Sequence, residues 1–352
     1  MKTSRRLPRL AALTFAGVAG LLATITPAAA WDRGNVETFA VLPADARKIE
    51  GLTVGNDGNV YVSTFDPTGS APAKLFIFDG NNGHLIRRVT IAGSSNATLG
   101  LAFHPSTHQL LVIDFGAAKV LNVNPNTGAS TVFMPPPAAG AGLNALTFDQ
   151  AGNVYVSDSF LGTIWRTGSG GGPAINWKTD PLLTTTGVPG FGANGVGFNK
   201  ARSNLFVANT GNDTLVQIAV TNSSGNLVAG AATVLTNSIN GADGIVLDQD
   251  DNIWVAANQA DEIVVVDPTG KAIAKLGDFD GLTKDGVTRG LLFPASPAFS
   301  KDGKSLFVSN LDLDLRTVTN PPQQTVDSQW AAQVKRHSIA RLKARIPNVR
   351  GD

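Results

Sequence analysis

The chain has 352 residues, of which 43% are hydrophobic and 16% charged, with 38 glycines and no cysteine. A single compact core seldom grows past about 250–300 residues, so this length needs several cores or a repeating architecture. The missing cysteine excludes disulfides and a lipid-anchored cysteine. High glycine content and few helical patterns favour an all-β fold.

The first thirty residues have the pattern of a secretory signal peptide. Four basic residues lie within positions 2–9, an apolar run follows from Leu10 to Ile25, and Ala28, Ala29 and Ala30 form a small-residue cleavage site. The run is short for a membrane span, and the alternative is an uncleaved anchor. We therefore predict a signal peptide over residues 1–30, a single domain over residues 31–352, and a secreted or periplasmic protein.

Removal of this segment changes the charge balance. It takes away 4 of the 28 basic residues and no acidic residue, which leaves 24 basic and 27 acidic groups, a formal net charge of −3. An acidic balance argues against nucleic acid and against an anionic membrane as partners. We expect a monomer that acts on a small molecule and does not bind a membrane after cleavage.

A pattern of two short strands around an Asp-, Asn- or Gly-rich turn occurs six times. The copies open at Glu50, Leu99, Asn144, Asn194, Asp243 and Ala295. The successive spacings are 49, 45, 50, 49 and 52 residues. A repeat of roughly 40–50 residues with about four strands is typical of a β-propeller blade. The sequence therefore predicts an all-β, six-bladed β-propeller.

Material at the two ends of the domain predicts how the ring closes. Residues 35–42 alternate like a strand before the first copy, and residues 336–346 offer strand material after the sixth. We predict that the N-terminal strand pairs with the last blade, which removes free sheet edges. Residues 279–291 and 312–330 are predicted insertions, which often shape the binding mouth of a repeat protein.

The six opening residues are predicted to meet at one end of the central channel. Four of them, Glu50, Asn144, Asn194 and Asp243, carry side-chain oxygens. Carboxylate and amide oxygens without His or Cys suit a hard cation, and calcium is the natural candidate outside the cell. The alternative is that these residues only bond to the backbone of adjacent blades.

Other polar residues are predicted to be structural. Short polar residues at the ends of the second strands, such as Asp158 and Asn209, are expected to satisfy backbone donors in the following turns. The four histidines, which are His84, His104, His108 and His337, are predicted to lie on the surface. No GxSxG, P-loop or HExxH motif occurs, which argues against a serine hydrolase.

The ordered set Glu50-Gly51, Asn144, Asn194-Gly195 and Asp243-Gly244 resembles the family of gluconolactonases, senescence marker protein and luciferin-regenerating enzymes. More distantly it resembles the paraoxonases and strictosidine synthases. The resemblance covers about residues 36–346. It implies a six-bladed propeller with a divalent metal bound by Glu50, Asn194 and Asp243. Asn144 would be a fourth ligand or a substrate contact.

The chain also departs from these relatives. Leu99 stands where paraoxonases have a histidine, and Gly142 stands where animal gluconolactonases have an arginine. These differences argue against paraoxonase-type chemistry and against sugar-acid lactones. We predict a less polar substrate pocket formed by Leu99, Leu143, Phe191 and Ala295.

These observations leave three functional hypotheses open. The first is a metal-dependent hydrolase of a lactone or related ester, in which Asp243 is the catalytic general base and the cation polarises the carbonyl. The second is a non-catalytic binding propeller with a structural ion or none. The third is a lyase or synthase on the same scaffold.

Overall fold

The computed structural model of the protein describes residues 33–319 and 321–346. The predicted signal peptide, residues 1–30, lies outside the described residues. The described part forms 26 strands, one α-helix and three 3-10 helices, so the prediction of an all-β protein is confirmed. No described helix has the length and hydrophobicity needed to cross a bilayer.

The strands form six four-stranded antiparallel sheets, which are the six predicted blades. After β1 (Val36–Val41), blade 1 contains β2 (Ile49–Val54), β3 (Val60–Thr64), β4 (Lys74–Phe78) and β5 (Leu85–Thr90). Blade 2 contains β6 (Thr98–Phe103), β7 (Leu110–Asp114), β8 (Lys119–Val123) and β9 (Ser130–Met134). Blade 3 contains β10 (Leu143–Phe148), β11 (Val154–Asp158), β12 (Thr163–Thr167) and β13 (Ile175–Thr179).

The second half repeats this order with two insertions. Blade 4 contains β14 (Ala193–Phe198), β15 (Asn204–Asn209), β16 (Thr214–Ser223) and β17 (Asn226–Thr236). Blade 5 contains β18 (Ala242–Leu247), β19 (Ile253–Ala257), β20 (Glu262–Val266) and β21 (Ala272–Leu276). An inserted hairpin of β22 (Phe279–Leu282) and β23 (Thr288–Gly290) follows. Blade 6 contains β24 (Pro294–Phe299), β25 (Ser305–Asn310) and β26 (Ser338–Lys343).

Strand β1 closes the ring, as predicted. It pairs antiparallel with β26, from Val36 opposite Leu342 to Val41 opposite Ser338, and the sheet order is β1-β26-β25-β24. The second predicted insertion, residues 312–330, separates β25 from β26. It contains a 3-10 helix (Leu315–Thr317) and α1 (Val326–Ala331). The other 3-10 helices are Phe115–Ala117 and Pro181–Leu183.

A repeated side-chain network fixes the turn between the first two strands of a blade. In blade 3, Asp149 accepts hydrogen bonds from the Asn153 amide at 2.8 Å and the Tyr155 hydroxyl at 3.1 Å. In blade 5, Asp248 accepts from the Asn252 amide and the Trp254 indole, both at 2.9 Å. An Asp side chain that bonds locally favours a tight turn, so nearby residues largely specify this part of the repeat.

The innermost strands of neighbouring blades are in backbone contact, which explains the glycine that follows several opening residues. A Cβ on Gly195 would lie 2.4 Å from the carbonyl oxygen of Asp243, and one on Gly244 would lie 2.5 Å from that of Ala295. The strand register also shifts at this point, as between Ala193 and Val196 in blade 4. Such a bulge bends the strand and re-aims its side chains.

The hydrophobic core is divided into clusters that lie between blades. One cluster joins Val62 and Phe76 of blade 1 to Phe307 and Ile339 of blade 6, all of them fully buried. Because each blade buries its faces against its neighbours, the chain exceeds the usual size of one core without splitting into globular domains.

Candidate metal centre and substrate cavity

A cavity of about 480 Å³ opens at one end of the central channel. Its walls include Glu50, Asn144, Asn194 and Asp243, which come from blades 1, 3, 4 and 5. Each of these side chains is nearly buried, with 3–4% of its residue surface exposed. The structure therefore brings the four predicted oxygen-bearing residues to one cavity, and their role as metal ligands stays a prediction.

The predicted pocket residues divide into two pairs. Leu99 and Phe191 line the cavity. Leu143 and Ala295 do not appear on its wall, and both are completely buried in the core cluster that also contains Leu99. Leu143 directly precedes Asn144, and its side chain is packed in that core. The side chain of Ala295 is a single methyl group, buried in that core.

Sequence reasoning missed a second set of cavity residues. They directly follow the second strand of their blades and are Phe65, Phe115, Thr210, Asn258 and Leu311. The residue one position earlier has the structural role that the sequence predicts. Asp158, for example, accepts hydrogen bonds from the backbone N–H of Gly142 at 2.9 Å and the indole of Trp165 at 2.9 Å. Moving the series of strand-end residues by one position toward the C-terminus would have revealed the missed set.

Hydroxyl groups from this region hold the two ring asparagines in place. The Asn144 amide donates to Ser159 Oγ at 3.1 Å, and the Asn194 amide donates to Thr210 Oγ1 at 2.9 Å. The hydroxyls in turn donate to backbone carbonyls of the next blade, Ser159 to Ala193 at 2.6 Å and Thr210 to Ala242 at 2.8 Å. Each amide carbonyl oxygen remains available as a ligand.

Three buried oxygens on the cavity wall have no hydrogen-bond partner among the described residues. They are Glu50 Oε2, Asp243 Oδ1 and Asn258 Oδ1. We call the side-chain oxygens of Glu50, Asn144, Asn194, Asp243 and Asn258 the ring of oxygens. The other carboxylate oxygen of Asp243 accepts from the Asn258 amide at 2.9 Å. Buried polar atoms are nearly always paired, so unpaired oxygens that line one cavity suit a cation or a hydrogen-bond donor bound there.

The pKa values of the Glu50 and Asp243 carboxyls are also consistent with a bound cation. Burial, followed by repulsion from Asp243, raises the pKa of Glu50 well above its ordinary value. Burial raises the pKa of Asp243 to about 7, although hydrogen bonds from Asn258 and Asn194 oppose the shift. A cation between these groups would compensate both the lost solvation and the repulsion.

The donor set fits a hard divalent cation. It consists of two carboxylates and the amide oxygens of Asn144, Asn194 and Asn258, all of which line the cavity. Calcium and magnesium take oxygen ligands of this kind. Within the described part of the chain, no group of three or more His, Cys, Asp or Glu side chains is placed to hold a metal, so the fit depends on the amides.

The histidine prediction was wrong for His104. It is fully buried, and its Nε2 lies 2.8 Å from the carbonyl oxygen of Gly152, where it fastens one turn to the next blade. His337 is partly buried, with Nδ1 2.9 Å from Asp312 Oδ2, whereas His84 and His108 are exposed as predicted. No histidine is among the described residues that line the cavity.

The predicted insertion over residues 312–330 forms part of the cavity mouth. Leu313, Val318, Thr319 and Gln323 all line the cavity. Gly142 lies close to the same mouth, and the ring of Phe160 occupies the space beside it, since a Cβ on Gly142 would lie 2.5 Å from Phe160 Cδ2. No larger side chain fits at position 142 unless this ring moves.

Residues 116–277 match the family model described as the SMP-30/Gluconolactonase/LRE-like region. The chain carries an SMP-30/gluconolactonase/LRE-like region. The family prediction is therefore confirmed, and the matched segment includes Asn144, Asn194, Asp243 and Asn258. No curated protein sequence matches the chain.

Solved structures share the fold at low sequence identity. A calcium-binding protein, regucalcin, from Agrobacterium tumefaciens is 17% identical with a TM-score of 0.59, and the match covers 89% of this chain and 95% of regucalcin. A gluconolactonase from Xanthomonas campestris is 13% identical with a TM-score of 0.58, covering 88% and 90%. A streptogramin B lyase is 15% identical with a TM-score of 0.56, covering 90% and 100%.

Proposed function

We propose that the protein is a secreted, divalent-metal-dependent hydrolase of a lactone or related ester, with calcium as the metal. The observation that carries this proposal is the set of unpaired buried oxygens on Glu50, Asp243 and Asn258. The SMP-30/gluconolactonase/LRE-like region supports the lactonase class. The name of the regucalcin neighbour supports calcium.

Glu50, Asn144, Asn194, Asp243 and Asn258 would hold the metal. When bound, the cation would polarise the substrate carbonyl and stabilise the negative charge that develops on its oxygen. The hydroxyl-bonded asparagines are already oriented, so little reorganisation is needed when the substrate arrives.

Asp243 is the proposed general base. Its Oδ2 is held by Asn258 at 2.9 Å, which fixes the carboxylate in the cavity wall. Asp243 would take a proton from water as the water oxygen bonds to the carbonyl carbon. The bond from that carbon to the ring oxygen then breaks, the proton passes to the departing oxygen, and the product is a hydroxy acid.

The remaining features of the proposal concern location and partners. The signal-like residues 1–30 support export to the periplasm or outside the cell. The acidic balance of the mature chain supports a small-molecule substrate rather than nucleic acid or membrane. We propose a monomer as the working form.

The test uses the mature protein and a panel of lactones and esters, assayed with calcium and with EDTA. Asp243→Asn keeps the shape of the side chain and is expected to reduce hydrolysis at least 100-fold, as is EDTA. Asp149→Asn is the control, because Asp149 is equally buried, at 5% exposure, but lies in the β10–β11 turn. Hydrolysis that survives both EDTA and Asp243→Asn would overturn the proposal.

A lyase is the second candidate, and the likeness to the streptogramin B lyase favours it. Reaction in ¹⁸O-labelled water separates the two. Hydrolysis places the label in the product carboxylate, whereas elimination yields an alkene and an unlabelled acid. No conversion of any compound in the panel, together with a melting temperature that rises with calcium, would favour a non-catalytic binding propeller with a structural ion.

A further inference from the structure

Four phenylalanines form a connected aromatic surface on the cavity wall. They are Phe65, Phe115, Phe160 and Phe191, which we call the aromatic wall. The ring centroids of Phe115 and Phe160 are 5.7 Å apart, those of Phe160 and Phe191 are 5.4 Å apart, and those of Phe115 and Phe191 are 5.8 Å apart. Phe65 joins the group with its centroid 6.3 Å from that of Phe115.

This surface is not fully covered by the protein itself. Phe160 is 48% exposed, and Phe115 and Phe191 are partly buried. Other phenylalanines of the protein, such as Phe76 and Phe307, are fully buried in the core. Exposed aromatic rings that gather around a concave site mark a binding surface for an apolar ligand.

Away from the ring of oxygens, the cavity has few groups that would bind a charged or heavily hydroxylated molecule. No Lys, Arg or His side chain is among the described residues that line it. Its polar side chains are the ring oxygens and their neighbour Thr210 at the inner end, with Thr319 and Gln323 at the mouth. A hydroxyl buried against phenylalanine loses its hydrogen bonds to water, at a cost of roughly tenfold in affinity each.

We infer that the substrate carries an uncharged hydrocarbon group, an aromatic ring or an alkyl chain, that packs against the aromatic wall. The carbonyl end would reach the ring of oxygens, and this second part rests on the proposed function. A cavity of about 480 Å³ is large enough for a lactone ring with such a substituent. Sugar lactones, with a hydroxyl on most carbons, are poor substrates on this inference.

The first test measures binding alone and does not depend on catalysis. The wild-type protein is titrated by calorimetry with cyclohexanones that carry 2-alkyl chains of one to six carbons and are not hydrolysed. Affinity should rise about fourfold for each methylene that the wall covers. Phe160→Ala should lower affinity for the hexyl compound about tenfold. Ile86→Ala is the control, because Ile86 is 50% exposed on β5 and does not line the cavity.

The second test compares turnover. The kcat/KM for a δ-lactone with a pentyl substituent should exceed that for the unsubstituted ring and for D-glucono-δ-lactone by at least 100-fold. Chain-length dependence without turnover of any lactone or ester in the panel would support the inference and refute the proposed function. Turnover with an affinity that does not change with chain length, or a preference for the sugar lactone, would refute the inference and leave the proposed function standing.

Discussion

Gly195→Ala tests whether backbone contact between inner strands sets the geometry of the oxygen ring. The added Cβ would lie 2.4 Å from the carbonyl oxygen of Asp243 and 2.6 Å from the backbone nitrogen of Ile245. Both are main-chain atoms, so the two strands must separate by nearly 1 Å. Gly197→Ala, two residues along β14, would meet only the flexible end of Leu247, at 2.6 Å.

The expected loss can be worked from this difference. Overpacking at Gly195 costs about 3 kcal/mol, at the upper end of the usual range, because backbone cannot rotate away. Replacing glycine stabilises by about 0.7 kcal/mol through the unfolded chain. The net loss is about 2 kcal/mol, or roughly 3 °C in Tm for about 310 ordered residues at about 2.1 cal/mol/K each. Gly197→Ala should stay within about 1 kcal/mol of wild type, since Leu247 can change rotamer.

The assay is urea unfolding with EDTA at 25 °C, followed by calcium titration of each variant. Gly195→Ala should also weaken calcium binding at least tenfold, because the residue lies between two predicted ligands, Asn194 and Asp243. Gly197→Ala should bind calcium as wild type does. Equal stability and equal calcium affinity of the two variants would show that the contact does not position the ring.

Two further predictions concern a buried carboxyl between blades 5 and 6 and the closure of the ring. Burial and the nearby carboxyls of Asp327 on α1 and Asp278 after β21 raise the pKa of Asp261 from 3.8 to about 8. The contribution of Asp261 to the free energy of unfolding is therefore present at low pH and is lost as pH rises through about 8. Asp261→Asn should flatten the fall in unfolding free energy between pH 5 and 8, as followed by urea unfolding. Asp302→Asn is the control and should not flatten this fall, because the pKa of Asp302 is lowered. If the unfolding free energy of Asp261→Asn falls with pH as steeply as that of the wild type, the assignment is wrong. Deletion of β1 should expose the edge of β26 and cause aggregation, measured by light scattering, and a deletion variant that stays monomeric would argue against closure by this strand.

The repeat made the fold predictable, whereas parts of the site were not. Six evenly spaced hairpins, and strand-like segments before and after them, are local patterns, so blade number and closure follow from the sequence. The opening residues Glu50, Asn194 and Asp243 share one position in the repeat, which placed them at one cavity. Phe160 lies in the β11–β12 turn and Gln323 in an insertion, and neither position shows a shared residue type across the blades, so their approach to the cavity depends on tertiary packing.

Strands β1 and β26 lie side by side, although about 300 residues separate them along the chain. The two ends of the propeller could therefore be tethered by a short linker, and the chain reopened in any connection between blades. A circularly permuted protein of this kind would move the seam to another blade and leave the ring of oxygens and the aromatic wall unchanged. In such a molecule, the order in which the blades are synthesised would change while the six-bladed architecture stays the same.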